Sequence, residues 1–239
     1  MDGYSRQASA PAQLEILHGR QATAFLVTVH LWMFLGLAVT TVAAWMVVSS
    51  MSLTMYLLMN RGVFLGLLIA EVVLVMALNP VARRLPAIWA TSVFLLYSAL
   101  NGVTLSMITM VYAKESIVMA FLSAACLFGT MSLYGYVTKR DLTSLGSLMT
   151  VGLIALLVCM VINMFLGSPL FSYAISLIGV VVFLGLTAHD TQMILRLGQE
   201  FSTIHSDGAR KAAILGALKL YLDFINLFLF LLRVFGKRK

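Results

Sequence analysis

Long apolar runs separated by short polar breaks dominate the chain, and their lengths fit membrane-spanning helices. A helix needs about 20 mostly apolar residues, at about 1.5 Å each, to cross about 30 Å of hydrocarbon. Seven runs meet that need: 22–49, 62–78, 87–111, 116–137, 145–166, 170–195 and 212–235. The breaks carry turn chemistry. Asn79 and Pro80 close the second run, Pro86 opens the third, and Gly167, Ser168 and Pro169 form a tight hairpin between the fifth and sixth. Gly62 and Gly66, with Ala70 one turn on, give the second run a smooth stripe for close helix contact.

Composition agrees with this pattern. Hydrophobic residues are 61% of the 239 positions and charged residues only 10%, where a soluble domain carries about a quarter charged. The breaks are too short for a second domain. The expected organisation is a polar tail over 1–21, one seven-helix domain over 22–236 and a basic end at 237–239. The first run is too long for a signal peptide and should remain as a span. Cys126 and Cys159 lie in apolar runs, and His18, His30, His189 and His205 lack metal-ligand spacing.

The net charge of +7 sits at the edges of the runs. Lys and Arg so placed face lipid headgroups, and no basic patch of the kind that binds nucleic acid is present. With the N-terminus inside, nine basic residues fall in inner segments: Arg6, Arg20, Arg83, Arg84, Lys139, Arg140, Arg196, Arg210 and Lys211. Only two, Arg61 and Lys114, fall in outer loops. The tail, with Arg233, Lys237, Arg238 and Lys239, then lies outside against the charge rule, unless the last run re-enters and returns.

Three carboxylates fall inside the runs: Glu71, Asp190 and Asp223. Each costs about 2.5–3.5 kcal/mol at the bilayer centre on insertion scales, so each asks for a partner or a role. Gly216, Lys219, Asp223 and Asn226 are spaced i, i+3, i+7 and i+10, which draws one polar stripe down an apolar helix. That stripe must face protein or water, which places the seventh helix at the centre of a bundle. The loop after Asp190 returns the chain to the same side of the membrane, so Asp190 and Asp223 share one half of the bilayer. Two carboxylates that approach closely cannot both ionise cheaply and titrate as a coupled pair, a natural proton sensor. Lys219, one turn before Asp223, either bridges to it or snorkels toward the cytoplasm. Asp190 either serves that pair or is held by a loop arginine. Glu71 is equally open to a satisfied structural role.

At these residues the chain resembles the Bax inhibitor-1 (transmembrane Bax-inhibitor-motif) family in its bacterial branch. The stretches that carry the resemblance are SLYGYVTKRDL at 132–142, GLTAHDTQ at 185–192 and LGALKLYLDFINLFL at 215–229. The resemblance implies an all-α membrane protein in which six helices surround a central C-terminal helix. It also implies a pH-sensitive calcium leak in the bacterial inner membrane, with Asp190 and Asp223 hydrogen-bonded to each other in the closed state. A basic residue ending the second span, Arg84 or Arg83, competes for Asp190. Calcium is the permeant ion, bound weakly and transiently by Asp190 and Asp223, and no cofactor is implied. His189 is a departure, since the family commonly has tyrosine there. An imidazole titrates near pH 6.5 and a phenol does not. Neighbouring helical residues diverge by about 100°, so His189 need not touch Asp190 for its charge to be felt there. His189, Lys219, Glu71 and Asn226 are the expected modulators.

Other chemistries fit less well. An intramembrane aspartyl protease shares the two-acid logic, but its Gly-x-Gly-Asp motif is absent before Asp223. No Gly-x-Ser-x-Gly elbow occurs. Lys219 has no third-span carboxylate to act as the counter-ion of a retinal protein. The expectation is a non-enzyme. The remaining alternative is a regulator that binds another membrane protein, such as a quality-control protease.

Overall fold

The computed structural model describes residues 10–201, 206–237 and 239, with side chains from residue 19 onward. The first nine residues of the expected tail, Arg6 among them, His205, Arg238 and the side chain of His18 lie outside the described residues. Every element in that range is helical: α1 Ala10–Ser49, α2 Met51–Met59, α3 Arg61–Arg84, α4 Ala87–Leu105, α5 Ile108–Val111, α6 Lys114–Val137, α7 Thr143–Leu166, α8 Pro169–Gln199 and α9 Asp207–Phe235. Seven stretches are long and apolar enough to cross a membrane, from Gly19–Ser49 to Asp207–Phe235.

Three boundaries differ from expectation. The helix of the first span begins at Ala10, so part of the expected polar tail is helical. The second span continues through Pro80 to Arg84. An interior proline removes one backbone hydrogen bond, and here Pro80 lies one turn from the end, where Leu85 N–H donates to the Val81 carbonyl and closes the helix. The 49–62 break holds a short helix, α2, capped by the Ser50 hydroxyl, which accepts from Leu53 N–H.

α9 is the central element. Most of its apolar window is buried inside the protein, 72% against 11% for α3 and for α7. It packs on α8, α1, α6 and α4, and more lightly on α3. α7 instead leans chiefly on α8, so the ring around α9 is made by five helices with α7 outside it. In lipid the hydrophobic effect does not drive helices together, so close backbone packing matters more. Gly135 of α6 supplies it: a Cβ there would run into the Ala188 carbonyl of α8. Gly167 ends α7 at φ 61°, a left-handed conformation that favours glycine.

The last run crosses and does not return. Ala113 N–H donates to the Lys237 carbonyl at 3.1 Å and Lys239 N–H to the Val111 carbonyl at 3.0 Å, so the C-terminal tail lies on the α5–α6 loop. At the opposite end the Asp207 carboxylate accepts from Ala87 N–H at 3.0 Å, tying the start of α9 to the start of α4. The charge pattern makes this second end the inner one.

Candidate functional site

Asp190 of α8 and Asp223 of α9 are each 5% exposed. They sit on the two helices that pack most extensively against each other, within electrostatic reach across that contact. Their partners differ sharply. Asp190 Oδ1 accepts from Lys219 Nζ at 3.1 Å and contacts His189 Nδ1 at 2.8 Å. Asp223 Oδ2 is buried with no hydrogen-bond partner. The two acids face each other as neighbouring charges across the α8–α9 contact.

Lys219 therefore resolves its two readings in a third way. It turns neither to Asp223 on its own helix nor wholly to solvent, but crosses to Asp190 with its side chain 47% exposed. A lysine one turn inward of Asp223 reaches α8 because its four-carbon stem can lie along the helix contact. Arg83 and Arg84 are exposed, and among the described residues neither forms an ion pair with Asp190. Arg196, in the last turn of α8, is likewise elsewhere, on Asp141.

His189 touches Asp190 directly, Nδ1 to Oδ1 at 2.8 Å. The imidazole lies over Gly146 of α7, where a Cβ would collide with the ring. One small residue on a peripheral helix thus makes the room for His189. Asn226 turns away from the pair, its Nδ2 donating to the Leu222 carbonyl of its own helix at 2.8 Å.

Glu71 belongs to a separate buried network. Thr104 Oγ1 donates to it at 2.7 Å and Asn101 Nδ2 at 3.3 Å. Tyr221 of α9 donates to Asn101 Oδ1 at 3.1 Å and lies 2.7 Å from Thr40 Oγ1. Its hydrogen bonds make Glu71 a satisfied carboxyl in the middle of α3. Sequence reading left out Asn101, Thr104, Thr40 and Tyr221, although Asn101 and Thr104 are polar residues three apart in an apolar run.

A clamp on the inner side also went unread. Gln192 Oε1 accepts from Leu142 N–H at 2.9 Å, and its Nε2 donates to the Arg140 carbonyl at 2.8 Å. Arg196 Nη2 bridges Gln192 Oε1 at 2.9 Å and Asp141 Oδ1 at 2.8 Å. Thr143, through its hydroxyl and backbone N–H, and then Arg196 hold the Asp141 carboxyl down at about 2. The α6–α7 loop is thereby fixed to α8 directly below Asp190. Outward of Asp223, Phe224 stacks edge-on against Phe121 at 5.4 Å and Phe128 at 5.6 Å between ring centres. These rings form an apolar cluster beside the acid.

Sequence comparison decides the family. Residues 22–239 match the family described as Inhibitor of apoptosis-promoting Bax1. The chain belongs to the Bax inhibitor-1 family. It is 45% identical over 215 residues to the inner membrane protein YbhL of Escherichia coli strain K12, covering 90% of this chain and 92% of that one. An uncharacterised protein of Deinococcus radiodurans is 40% identical over 218 residues, 91% of this chain and 92% of its own. An uncharacterised membrane protein of Streptococcus pyogenes serotype M1 is 47% identical over 176 residues, 73% of this chain and 75% of its own. This member of the family is an integral inner membrane protein with seven spans.

Proposed function

We propose that the protein is a pH-sensitive calcium leak of the inner membrane, shut by charge pairing around Asp190 and Asp223. The observation that carries the reading is the contrast between the two acids. A buried carboxylate oxygen without a partner is costly, and the cost falls away if the acid takes a proton or a cation. Asp223 has such an oxygen. Asp190 already holds a cation, the tethered ammonium of Lys219.

In this reading Lys219 occupies the position that a mobile cation would take. For calcium to pass, the ammonium must leave Asp190, and its half-exposed side chain gives it room to do so. Two carboxylates then offer oxygen ligands, fewer than the six to eight of a site that holds calcium well. No group of three or more His, Cys, Asp or Glu able to hold a metal ion occurs among the described residues. Such a donor set suits passage rather than storage. The Phe121, Phe128 and Phe224 rings supply an apolar constriction that resists water and ions in the shut state.

Purified protein in liposomes loaded with a calcium dye tests the reading. Flux above empty liposomes that changes between pH 5 and 8 is the expected result. Liposomes as tight as the empty controls at every pH would leave the regulatory role, binding to another membrane protein, as the better account.

A further inference from the structure

The outer ends of α7, α8 and α9 enclose a cavity of about 420 Å3 that the aspartate pair does not use. Asn163, Ser172, Ser176 and Arg233 are among the residues that line it. A neighbouring cavity of about 370 Å3 shares Asn163, Ser172 and Arg233 and extends to Met160 and Met164. Two polar groups here are incompletely used. Arg233 is exposed, its guanidinium 5.8 Å from the centre of the Phe230 ring, and among the described residues it forms no ion pair. Asn163 Oδ1 is buried without a hydrogen-bond partner.

We propose that this cavity binds a phosphate-bearing headgroup, that of a phospholipid in the outer leaflet. Arg233 offers a planar fork of N–H donors that matches phosphate oxygens in pairs. The N-terminus of α8, 31 residues long, opens at the same cavity through Ser168 and Pro169 and adds its positive end. The ligand is thus a phosphate ester, held by Arg233 at one side of the cavity and by the start of α8 at the other. The surroundings favour a lipid as its source. Met164, Phe165 and Leu170 are 74%, 81% and 79% exposed beside the cavity, an apolar surface along which acyl chains can lie.

The charge balance of this end points the same way. The outer loops and tail carry Arg61, Lys114, Arg233, Lys237, Arg238 and Lys239 against one acid, Glu115. A span end so basic on the outer side runs against the usual charge rule, and a bound phosphate compensates it locally.

Native mass spectrometry of the delipidated full chain tests the site with three probes: a short-chain phosphatidylethanolamine, the matching diacylglycerol and inorganic phosphate. The expected result is retention of the phospholipid, with the diacylglycerol and inorganic phosphate each binding at least about tenfold more weakly. Arg233→Gln should weaken the phospholipid about tenfold and leave diacylglycerol binding unchanged. Diacylglycerol retained as well as phospholipid by the wild type would overturn the site, leaving only an apolar groove. Inorganic phosphate bound as tightly as the lipid would overturn the lipid source. The wild-type arms decide even if a variant does not fold.

Discussion

Asp190 Oδ1 holds two nitrogen partners while Asp223 Oδ2 holds none, and this asymmetry sets what single substitutions should do. Lys219→Gln removes the tethered cation but keeps a side chain of similar length. The leak should rise several-fold at neutral pH, because one charge-assisted contact is of the order of 1.5–3 kcal/mol; dye-loaded liposomes read it directly. An unchanged leak would mean that Lys219 is not the closing charge. His189 places an imidazole nitrogen 2.8 Å from Asp190 Oδ1. A positively charged neighbour favours the ionised form of a carboxylate and so opposes its protonation, and a neutral phenol does not. His189→Tyr should therefore steepen flux against pH while the protein stays folded. Superimposable curves for the two forms would remove His189 from gating. That His189 touches Asp190 was not legible from helical angles alone, because the room for the ring is left by Gly146 on another helix.

At the scale of elements, the clamp joining the α6–α7 loop to α8 uses neither Asp190 nor Asp223. The Asp141 carboxyl is held at about 2, below an ordinary aspartate near 3.9. Its contribution is therefore fully present above about pH 4 and is lost only as pH falls toward the depressed value, outside the range from pH 5 to 8. Asp141→Asn should leave the midpoint of the flux curve where it is. Gln192→Ala removes acceptor and donor together from a buried loop anchor and should lower the melting temperature in detergent, by loss of about 1–3 kcal/mol for the backbone groups left unpaired. Equal melting temperatures for Gln192→Ala and wild type would show the loop to be held by other contacts. The stretch 132–142 stood out in the sequence, but its partner did not. Gln192 and Arg196 lie about fifty residues downstream, and no local pattern pairs a loop carbonyl with a distant amide. The seven spans, by contrast, were legible because each is fixed locally by length and apolarity. Pro80 misled only because a proline one turn from a helix end is tolerated there.

For the whole molecule, the polar stripe on the last run foretold the central place of α9, since Asp223 has no other shelter from lipid. The outlying position of α7 was not legible, because its apolar faces look alike in sequence and only packing on α8 distinguishes them. The C-terminal tail resolves the topology by pairing with the α5–α6 loop, a backbone contact that side-chain pattern does not encode. A cysteine introduced at Gly236 should react with an impermeant thiol reagent from the side opposite one introduced at Gly208, in a Cys126→Ala, Cys159→Ala background. Labelling from the same side would put both ends of α9 together and dissolve the bundle described here. The account rests finally on Asp223, buried on the central helix with its Oδ2 lacking a hydrogen-bond partner. Calcium flux in liposomes, measured from pH 5 to 8 for the wild type and for Asp223→Asn, tests it most directly. The account predicts a pH-dependent wild-type leak and a flat curve in the variant, which keeps the size and hydrogen bonding of the acid but cannot titrate; a variant curve with the wild-type pH dependence would contradict it.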